Sequence, residues 1–372
     1  MKIGDHAKPT LLTDVPRCAW ESSPALKEEE FARALSLALF DYMRKSYSCG
    51  FVLSLSGGAD SATVAVLVRL MMEFAVQDLG LAGVAERLHD CFEGEAPETI
   101  DQWVSELLWC VYQATRNSGE VTRDAAESVA TAIGAKFYEL NVDGVVEQYK
   151  SLVSGVLKRD LTWDRDDLAL QNIQARGRAP SVWMLANIKG GLLLATSNRS
   201  EAAVGYTTMD GDTCGGISPI AGIDKAFLRQ WLRWLEKDGP DGGKPLPALI
   251  KVNAQQPTAE LRPPEEKQTD ESDLMPYEIL DLIERLAIRD KLMPTEILDA
   301  LIPHELVLAS RADRKQVITW VKRFFQLWSR NQWKRERFAP SFHVDDENLD
   351  PKTWCRFPIL SGGFRRELDA LK

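Results

Sequence analysis

A short run of small and polar residues between two apolar segments constrains this chain more than any other feature. The sequence SGGADS, residues 56–61, follows an apolar stretch at 50–55 and precedes one with helical spacing at 62–72. We therefore predict a strand, a glycine turn and a helix. Gly57 and Gly58 let a ligand come close to the main chain, and the N–H groups at a helix N-terminus suit a phosphate group.

Three polar side chains of the same turn extend this prediction. The hydroxyl groups of Ser56 and Ser61 can add hydrogen bonds to a phosphate. Asp60 would repel a bare phosphate, so its presence predicts a divalent cation that is shared with that phosphate. A plain turn with a serine N-cap is the alternative, but the strand context, the two glycines and the placed acid together favour a phosphate site.

The composition is that of an ordinary globular chain, and it narrows the possible partners. The 372 residues are 45% hydrophobic and 27% charged, and they suffice for one large domain or two modest ones. A net charge of −10 argues against a broad nucleic-acid surface. No apolar run is long enough to span a bilayer, so no membrane partner is predicted. The six cysteines include no C-x-x-C pair, which favours reduced thiols in a cytoplasmic protein over disulfides or zinc.

The order of the predicted elements indicates an α/β fold. Strand-like apolar stretches alternate with helical patterns, and the strands are predicted at 50–55, 107–113, 136–141 and 192–195. We predict a doubly wound parallel sheet with helices on both faces. Since ligands bind beyond the carboxyl ends of such strands, the glycine turn and the polar residues 196–201 should meet at one edge.

The helices and connections outside the sheet complete the predicted organisation. Helices are expected at 27–46, 142–157, 277–289 and 314–330, together with a long one at 166–189 that should kink or break at Gly177 and Pro180. The acidic segment 78–101 reads as a solvated insertion, 239–245 as a flexible linker and 261–272 as a mobile loop. We divide the chain into an irregular arm at 1–25, a nucleotide-binding domain at 26–290 and a helical extension with an irregular tail at 291–372.

A second unusual stretch, TSNRSEAAVGY, follows the fourth predicted strand. Glu201 lies there in the first turn of a helix of small residues, where an acid commonly does no more than complement the helix dipole. Together with Asp60 at the same sheet edge, it would complete a magnesium site of hard oxygen ligands. The acid-rich loop at 210–216 indicates substrate contact, although a plain flexible turn is the alternative.

Taken together, these motifs resemble the NAD synthetases of the ATP-pyrophosphatase superfamily, which has a Rossmann-like fold with a modified P-loop. SGGADS is followed, in the order and spacing of that family, by NIQARGR, TSNRSEAAVGY, SPIAGIDKAFLR, PTAEL and QTDESDLMPYEILD. The resemblance covers residues 30–290, and the motifs FAPSFHV and RFPI are similar to the tails of longer relatives. Each motif alone occurs more widely, but the set is specific.

The resemblance implies ATP-dependent amidation of deamido-NAD to NAD through an acyl-adenylate. Ammonia would be the nitrogen donor, AMP and pyrophosphate the products, ATP the co-substrate and Mg²⁺ the cofactor. Only about 25 residues precede the first predicted helix, too few for the glutaminase domain of many relatives. We therefore expect free ammonia or a separate glutaminase subunit. Family members are commonly homodimers, and the 11 tryptophans fit either a dimer interface or the monomer core.

The resemblance also assigns individual residues by position. It implies catalytic roles for Asp60, Lys225 and Glu201, of which Asp60 and Glu201 would bind the metal. Without it, Lys225 would be read as a solvated helix lysine. The implied ATP contacts are Ser56, Gly57, Gly58, Asp60, Ser61, Thr196, Lys225 and Thr258, and the implied contacts with the dinucleotide are Asn172, Arg176 and Asp212.

Two departures from the family pattern lie on the acceptor side. Where many relatives read FTKFGDGGAD, this chain reads YTTMDGDTCGG, so that Met209 replaces a lysine and Gly216 replaces an aspartate. The ATP half of the site is therefore better supported than the acceptor half. Cys214 has no histidine near it in the sequence, and we expect it to be a poor nucleophile.

Other members of the superfamily are the alternative readings. A GMP synthetase-like or asparagine synthetase-like enzyme would share the ATP half of the site, and a tRNA-modifying ligase would usually need paired cysteines and a basic surface. A non-catalytic nucleotide-binding module is a rival of a different class. The presence of Asp60, Glu201 and Lys225 argues against it, since a protein that has lost its catalytic activity usually loses an acidic residue of the site first.

Overall fold

The computed structural model describes residues 18–92, 94–256, 261–262 and 270–372. In these residues, parallel strands form one four-stranded sheet in the order β3-β2-β1-β4. The strands are β1 (Phe51–Ser54), β2 (Leu108–Ala114), β3 (Lys136–Asn141) and β4 (Leu192–Leu194). Phe51 pairs with Leu108 on one side and with Leu192 on the other. The predicted parallel sheet is therefore confirmed.

Helices occupy most of the remaining described chain. They are α1 (Leu26–Lys45), α2 (Ala59–Arg87), α3 (Ile100–Leu107), α4 (Glu120–Ile133), α5 (Asp143–Leu157), α6 (Trp163–Lys189), α7 (Arg199–Val204), α8 (Lys225–Lys237), α9 (Ile250–Asn253), α10 (Asp270–Asp273), α11 (Tyr277–Glu284), α12 (Pro294–Leu301), α13 (Glu305–Ser310), α14 (Arg314–Arg330), α15 (Gln332–Arg335) and α16 (Arg365–Ala370). A π-helical turn, Arg285–Arg289, continues α11. Among these helices, none combines the length and the hydropathy needed to cross a membrane.

Helices cover both faces of the sheet. Phe51 and Leu53 of β1 pack into a large core with α1, α2, α4 and α8. Val52, which points to the opposite face, packs with Val182 and Ala186 of α6. Because successive side chains of one strand serve two cores, the apolar composition of β1 follows from its central position. The predicted doubly wound α/β fold is confirmed.

A second hydrophobic core lies in the C-terminal half of the chain. It joins the apolar faces of α11, α12 and α14, with Ile283, Ile297 and Phe324 among its most buried side chains. Ala203 and Val204 of α7 belong to the same cluster. The short helix after β4 is therefore packed against the C-terminal extension as well as attached to the sheet.

The predicted break in α6 at Gly177 and Pro180 is wrong. The helix runs continuously from Trp163 to Lys189 and leaves helical geometry only near its start, at Asp166. Pro180 has no N–H to donate within the helix, but the sheet holds the helix at this point. The side-chain amide of Gln113 in β2 donates to the carbonyl oxygen of Arg178 at 2.5 Å and to Ser181 Oγ at 2.7 Å.

The segment 78–101 is not the solvated insertion that its acidic composition predicts. Helix α2 extends through it as far as Arg87, with a kink at Gly80, where φ is +69°. Val84 and Leu88 are buried in the main core. The segment thus combines exposed polar residues with an apolar helix face, and this face packs into the main core before α3 begins.

The predicted flexible linker at 239–245 is an ordered turn. The carboxylate of Glu29 in α1 accepts a hydrogen bond from the Asp241 N–H at 2.6 Å, and Arg33 donates to the Asp241 carbonyl oxygen at 3.0 Å. These bonds fasten the turn to α1, which explains its order despite the glycines. Most of the predicted mobile loop at 261–272 lies outside the described residues.

The tryptophans divide between core and surface. Trp231, Trp320 and Trp328 are buried in the two cores, so they stabilise the monomer. Trp333 and Trp354 are 45% and 64% exposed. The tail after Trp333 is largely irregular, as predicted, and it ends in α16.

Candidate active site

The glycine turn at the carboxyl end of β1 has a shape that requires glycine at position 57. Gly57 has a φ of +84°, and a Cβ atom there would lie 2.0 Å from the carbonyl oxygen of Thr122 in α4. Helix α2 begins directly after Gly58. The hydroxyl groups of Ser56 and Ser61 lie 3.1 Å apart, and the Ser61 hydroxyl donates to the Gly58 carbonyl oxygen. The turn is thus preformed, with the positive end of α2 facing outward.

A second helix begins at the same edge of the sheet, four residues after β4. Asn198 caps α7 by accepting a hydrogen bond from the Glu201 N–H at 2.9 Å. The side-chain amide of Asn198 donates to Asp60 Oδ1 at 3.1 Å. Asn198 therefore links the N-termini of α2 and α7, a role that the sequence analysis did not assign to it.

Lys225, the first residue of α8, completes this cluster. Its side chain is 5% exposed, and its ammonium group pairs with Asp60 Oδ2 and, at 3.1 Å, with Glu201 Oε1. Three elements that are far apart in the sequence thus bring one cation between two carboxylates. The structure brings together all three residues that the resemblance named as catalytic, and Lys225 is not a solvated helix lysine.

A buried network fixes the position of Lys225. The Ser200 hydroxyl accepts a hydrogen bond from the Lys225 N–H at 2.8 Å and itself donates to the Asp281 carboxylate. The other carboxyl oxygen of Asp281 accepts from the Ala226 N–H at 3.1 Å. Burial, followed by the nearby charge of Asp224, raises the pKa of Asp281 well above its usual range. The N-terminus of α8 is therefore held by α7 and α11 together.

The cluster opens into a cavity of about 250 Å³ beyond the carboxyl ends of β1 and β4. Ser56, Gly58, Ser61 and Thr196 line this cavity with the cluster. Its position is the one where parallel α/β sheets bind ligands, because β1 lies beside β4 while the chain continues from β1 to β2 on its other side.

Two further cations of α8 face the same cavity and were missed by the sequence analysis. Arg229 and Arg233 follow Lys225 at intervals of four residues and line the cavity. Residues at this spacing share one face of a helix, so the signal was present in the sequence. Arg178 of α6 lines the cavity from the opposite side. The cavity is therefore suited to an anion of several charges.

The predicted acceptor residues meet at one loop, but only Asp212 lines the cavity. Asp212 accepts a hydrogen bond from the Thr208 N–H at 2.7 Å, and Asn172 accepts one from the Thr208 hydroxyl at 3.0 Å. Arg176 donates to the Met209 carbonyl oxygen at 2.9 Å. Asn172 and Arg176 thus hold the loop from α6, and the described cavity lining contains neither of them.

The environment of Asp212 and of Cys214 distinguishes their chemistry. The exposed surface of Asp212 faces the cavity, and the protein that surrounds the carboxyl group raises its pKa to about 6 by desolvation. Burial raises the pKa of the Cys214 thiol to about 11. This thiol is therefore neutral near pH 7, in agreement with its predicted weakness as a nucleophile.

The donor set of the cluster fits a magnesium ion. Asp60 and Glu201 are carboxylates that already converge on one positive charge, the Lys225 ammonium group. Hard oxygen ligands of this kind, completed by ligand phosphates and water, suit Mg²⁺. Thr258, the remaining predicted ATP contact, lies outside the described residues.

Comparison with known proteins places this geometry in a family. Residues 31–336 match the model of the NAD synthase family. The glutamine-dependent NAD(+) synthetase of Aquifex aeolicus is 34% identical over 339 residues, which are 91% of this chain and 49% of that protein. The protein of the same name from Oryza sativa subsp. indica is 33% identical over 340 residues, which are 86% of this chain and 45% of that protein.

The solved structures include a close match to the fold. The crystal structure of a glutamine-dependent NAD(+) synthetase from Cytophaga hutchinsonii superimposes with a TM-score of 0.81 at 48% identity, covering 93% of this chain and 56% of that one. This chain spans about half the length of the curated relatives it matches. The family match extends from α1 to α15 and includes every described residue of the Asp60, Glu201 and Lys225 cluster, and the chain therefore belongs to the NAD synthase family.

Proposed function

We propose that this chain catalyses the ATP-dependent amidation of deamido-NAD to NAD, with ammonia as the nitrogen donor and AMP and pyrophosphate as products. The observation that carries the proposal is the convergence of Asp60, Glu201 and Lys225 beside the glycine turn. A preformed helix N-terminus, two carboxylates and a buried lysine are the groups that a metal-bound triphosphate needs.

The proposed reaction proceeds in two steps. An oxygen of the nicotinate carboxylate attacks the α-phosphorus of ATP, and the bond from that phosphorus to pyrophosphate breaks. Ammonia then attacks the carbonyl carbon of the acyl-adenylate, the bond from carbon to the AMP oxygen breaks, and the nitrogen loses a proton. The first step is needed because a free carboxylate is a poor electrophile.

The ATP half of the site would act by charge stabilisation. Ser56, Gly57, Gly58 and Ser61 would hold the phosphates at the N-terminus of α2, and Thr196 would contact the nucleotide from the β4 side. Lys225, with Arg229 and Arg233 on the same face of α8, would stabilise the negative charge that develops on the departing pyrophosphate.

Asp60 and Glu201 would hold the magnesium ion. Such an ion, when bound, neutralises phosphate charge and thereby favours departure of pyrophosphate. Lys225 keeps the two carboxylates together through its contacts with both. Asn198 keeps one oxygen of Asp60 in a fixed direction.

The acceptor would lie against the loop at 206–212. Asp212 lines the cavity on that side, and we assign it to the nicotinate end of the acceptor. Asn172 and Arg176 support the same loop and are assigned to the dinucleotide. Because Met209 contributes its carbonyl oxygen to Arg176, the replaced side chain at that position does not remove the contact.

The nitrogen donor is tested by incubating the purified chain with Mg²⁺, ATP and deamido-NAD, with ammonium in one tube and glutamine in another. We expect NAD and AMP, separated by chromatography, only with ammonium. NAD formation from glutamine would refute ammonia as the direct donor. Xanthosine monophosphate in place of deamido-NAD is the control acceptor. If it is amidated while deamido-NAD gives no NAD, the proposed reaction is refuted and a GMP synthetase-like reaction is supported.

We also propose that a second copy of this chain covers α5 and α6. These adjacent helices carry apolar side chains that are 63–82% exposed, namely Leu152, Met184, Ile188, Leu168 and Val156. Several exposed apolar side chains on two neighbouring helices are typical of a surface that another protein covers. The change Val156→Asp is expected to shift sedimentation from dimer to monomer, whereas Val121→Asp, at an exposed position on α4, should not. A monomeric parent chain would contradict the proposal.

A further inference from the structure

The C-terminal extension contacts α7, the helix that carries Glu201, through several hydrogen bonds. Residues 331–335, here called the α7 clamp, comprise Asn331 at the end of α14 and the four residues of α15. Helix α7 has only six residues, which is too short to be stable by itself. Its position must therefore be set by contacts from outside, and the α7 clamp supplies them.

Three side chains of the α7 clamp donate to the carbonyl groups at the end of α7. Asn331 donates to the Val204 carbonyl oxygen at 2.7 Å. Lys334 donates to the carbonyl oxygens of Gly205 and Thr207, both at 2.7 Å. The last carbonyl groups of a helix lack partners within the helix, so these bonds replace what the helix cannot provide.

Arg335 is the centre of the α7 clamp. Its side chain is buried, and its guanidinium group donates to the Ala203 carbonyl oxygen at 2.7 Å and to that of Ala202 at 3.4 Å. It also donates to the Trp328 carbonyl oxygen and to the side chain of Gln332, and it lies 3.8 Å from the Trp328 ring. One guanidinium group thus joins the end of α7 to the end of α14.

The end of α7 packs so closely against the α7 clamp that the two segments have little room to move relative to each other. A Cβ atom at Gly205 would lie 2.4 Å from the Cβ atom of Asn331. The opposite end of α7 is fixed by Asn198, which also contacts Asp60. Helix α7 is therefore held at both ends, and Glu201 lies between the two attachments.

We propose that Lys334 and Arg335 are positioning residues for Glu201 and for the loop at 206–212. They hold α7 so that the Glu201 carboxylate contacts the Lys225 ammonium group, which also contacts Asp60. This assigns a catalytic consequence to the C-terminal extension. That consequence rests on the proposed function, whereas the positioning itself does not.

The test compares Lys334→Met and Arg335→Lys with the parent chain. Methionine keeps the length of the side chain without its donors, and lysine keeps the charge of Arg335 but cannot reach all of its acceptors. We expect hydrogen exchange of the amides at 202–208 to become at least tenfold faster in both variants, while exchange in β1 is unchanged. We expect kcat for NAD formation to fall by 10-fold to about 10²-fold, with less than a threefold change in KM for ATP.

Lys315→Met is the matched control, because Lys315 is an exposed residue of α14 in the same extension and lies outside the α7 clamp. It should behave as the parent chain in both measurements. If, in either variant, the amides of α7 exchange as slowly as in the parent chain, the proposal is overturned. It is also overturned if exchange becomes faster by the same factor in α7 and in β1. If the parent chain forms no NAD, the proposed function fails, and the exchange measurement alone still decides the positioning role.

Discussion

Replacing Lys225 by methionine is expected to lower kcat for NAD formation by about 10²-fold to 10³-fold. The side chain is buried between Asp60 and Glu201, so its loss removes the only cation that contacts both carboxylates in the described residues. Methionine has a similar length and no charge. The variant should fold, because the backbone contacts of residue 225 with Ser200 are kept.

Steady-state kinetics with ATP, deamido-NAD and ammonium measure this effect. The control is Lys237→Met, which removes an exposed lysine from the last turn of the same helix and should leave kcat within twofold of the parent value. Circular dichroism and the melting temperature confirm that both variants are folded. A Lys225→Met variant that keeps more than a tenth of the parent kcat would contradict the assigned role of the lysine.

Replacing Arg199 by methionine is expected to lower the free energy of unfolding by about 3–5 kcal/mol. The guanidinium group is 1% exposed and lies within 3.2 Å of four carboxylates, on Asp224, Glu284, Asp345 and Glu347. The Glu284 side chain is equally buried, so removal of the arginine leaves its carboxylate without the adjacent cation. Buried charges that lose their partner are among the most destabilising changes known.

The size of this effect should depend on pH. Burial, opposed in part by Arg199, raises the pKa of Glu284 well above its usual range. The folded state therefore binds a proton at Glu284 that the unfolded state releases near its ordinary pKa of about 4.3, and stability falls as the pH rises above that value. Without Arg199 the pKa of Glu284 rises further, so the variant should lose more stability at pH 8 than at pH 5.

Urea unfolding at pH 5 and pH 8 tests both statements. Arg123→Met serves as the control, since Arg123 forms an exposed ion pair with Glu139 and such surface pairs contribute little to stability. An Arg199→Met variant within 1 kcal/mol of the parent at both pH values would show that the four carboxylates do not depend on the arginine.

The sequence predicted the sheet and the core of the site because both depend on local patterns. Short apolar stretches that alternate with helical patterns located β1 to β4 within two residues of their observed ends. The parallel topology then implied that Asp60 and Glu201 lie at one edge. The role of Lys225 was predicted from the family resemblance, because the residues next to it in the sequence do not indicate that its side chain is buried.

The errors have physical reasons that a single sequence does not display. The predicted break at Pro180 ignored the bonds that Gln113 makes to α6 from a strand 65 residues earlier. The acidic composition of 78–101 led to the prediction of a solvated segment, although one face of its helix is apolar and contributes Val84 to the core. The contacts of Arg335 with α7 join residues more than 130 positions apart, and no local periodicity reports such contacts.

The placement of α7 between two cores bears on how the chain can be cut. The helix is attached to the N-terminus of α2 through Asn198, and its apolar residues belong to the C-terminal cluster with α11, α12 and α14. A truncation at residue 290 would expose that cluster and remove α14 and α15 from α7, which would keep its contacts with α11. We therefore expect the regions on either side of the predicted boundary at residue 290 to unfold together, and we expect deletion of the C-terminal extension to abolish the proposed reaction.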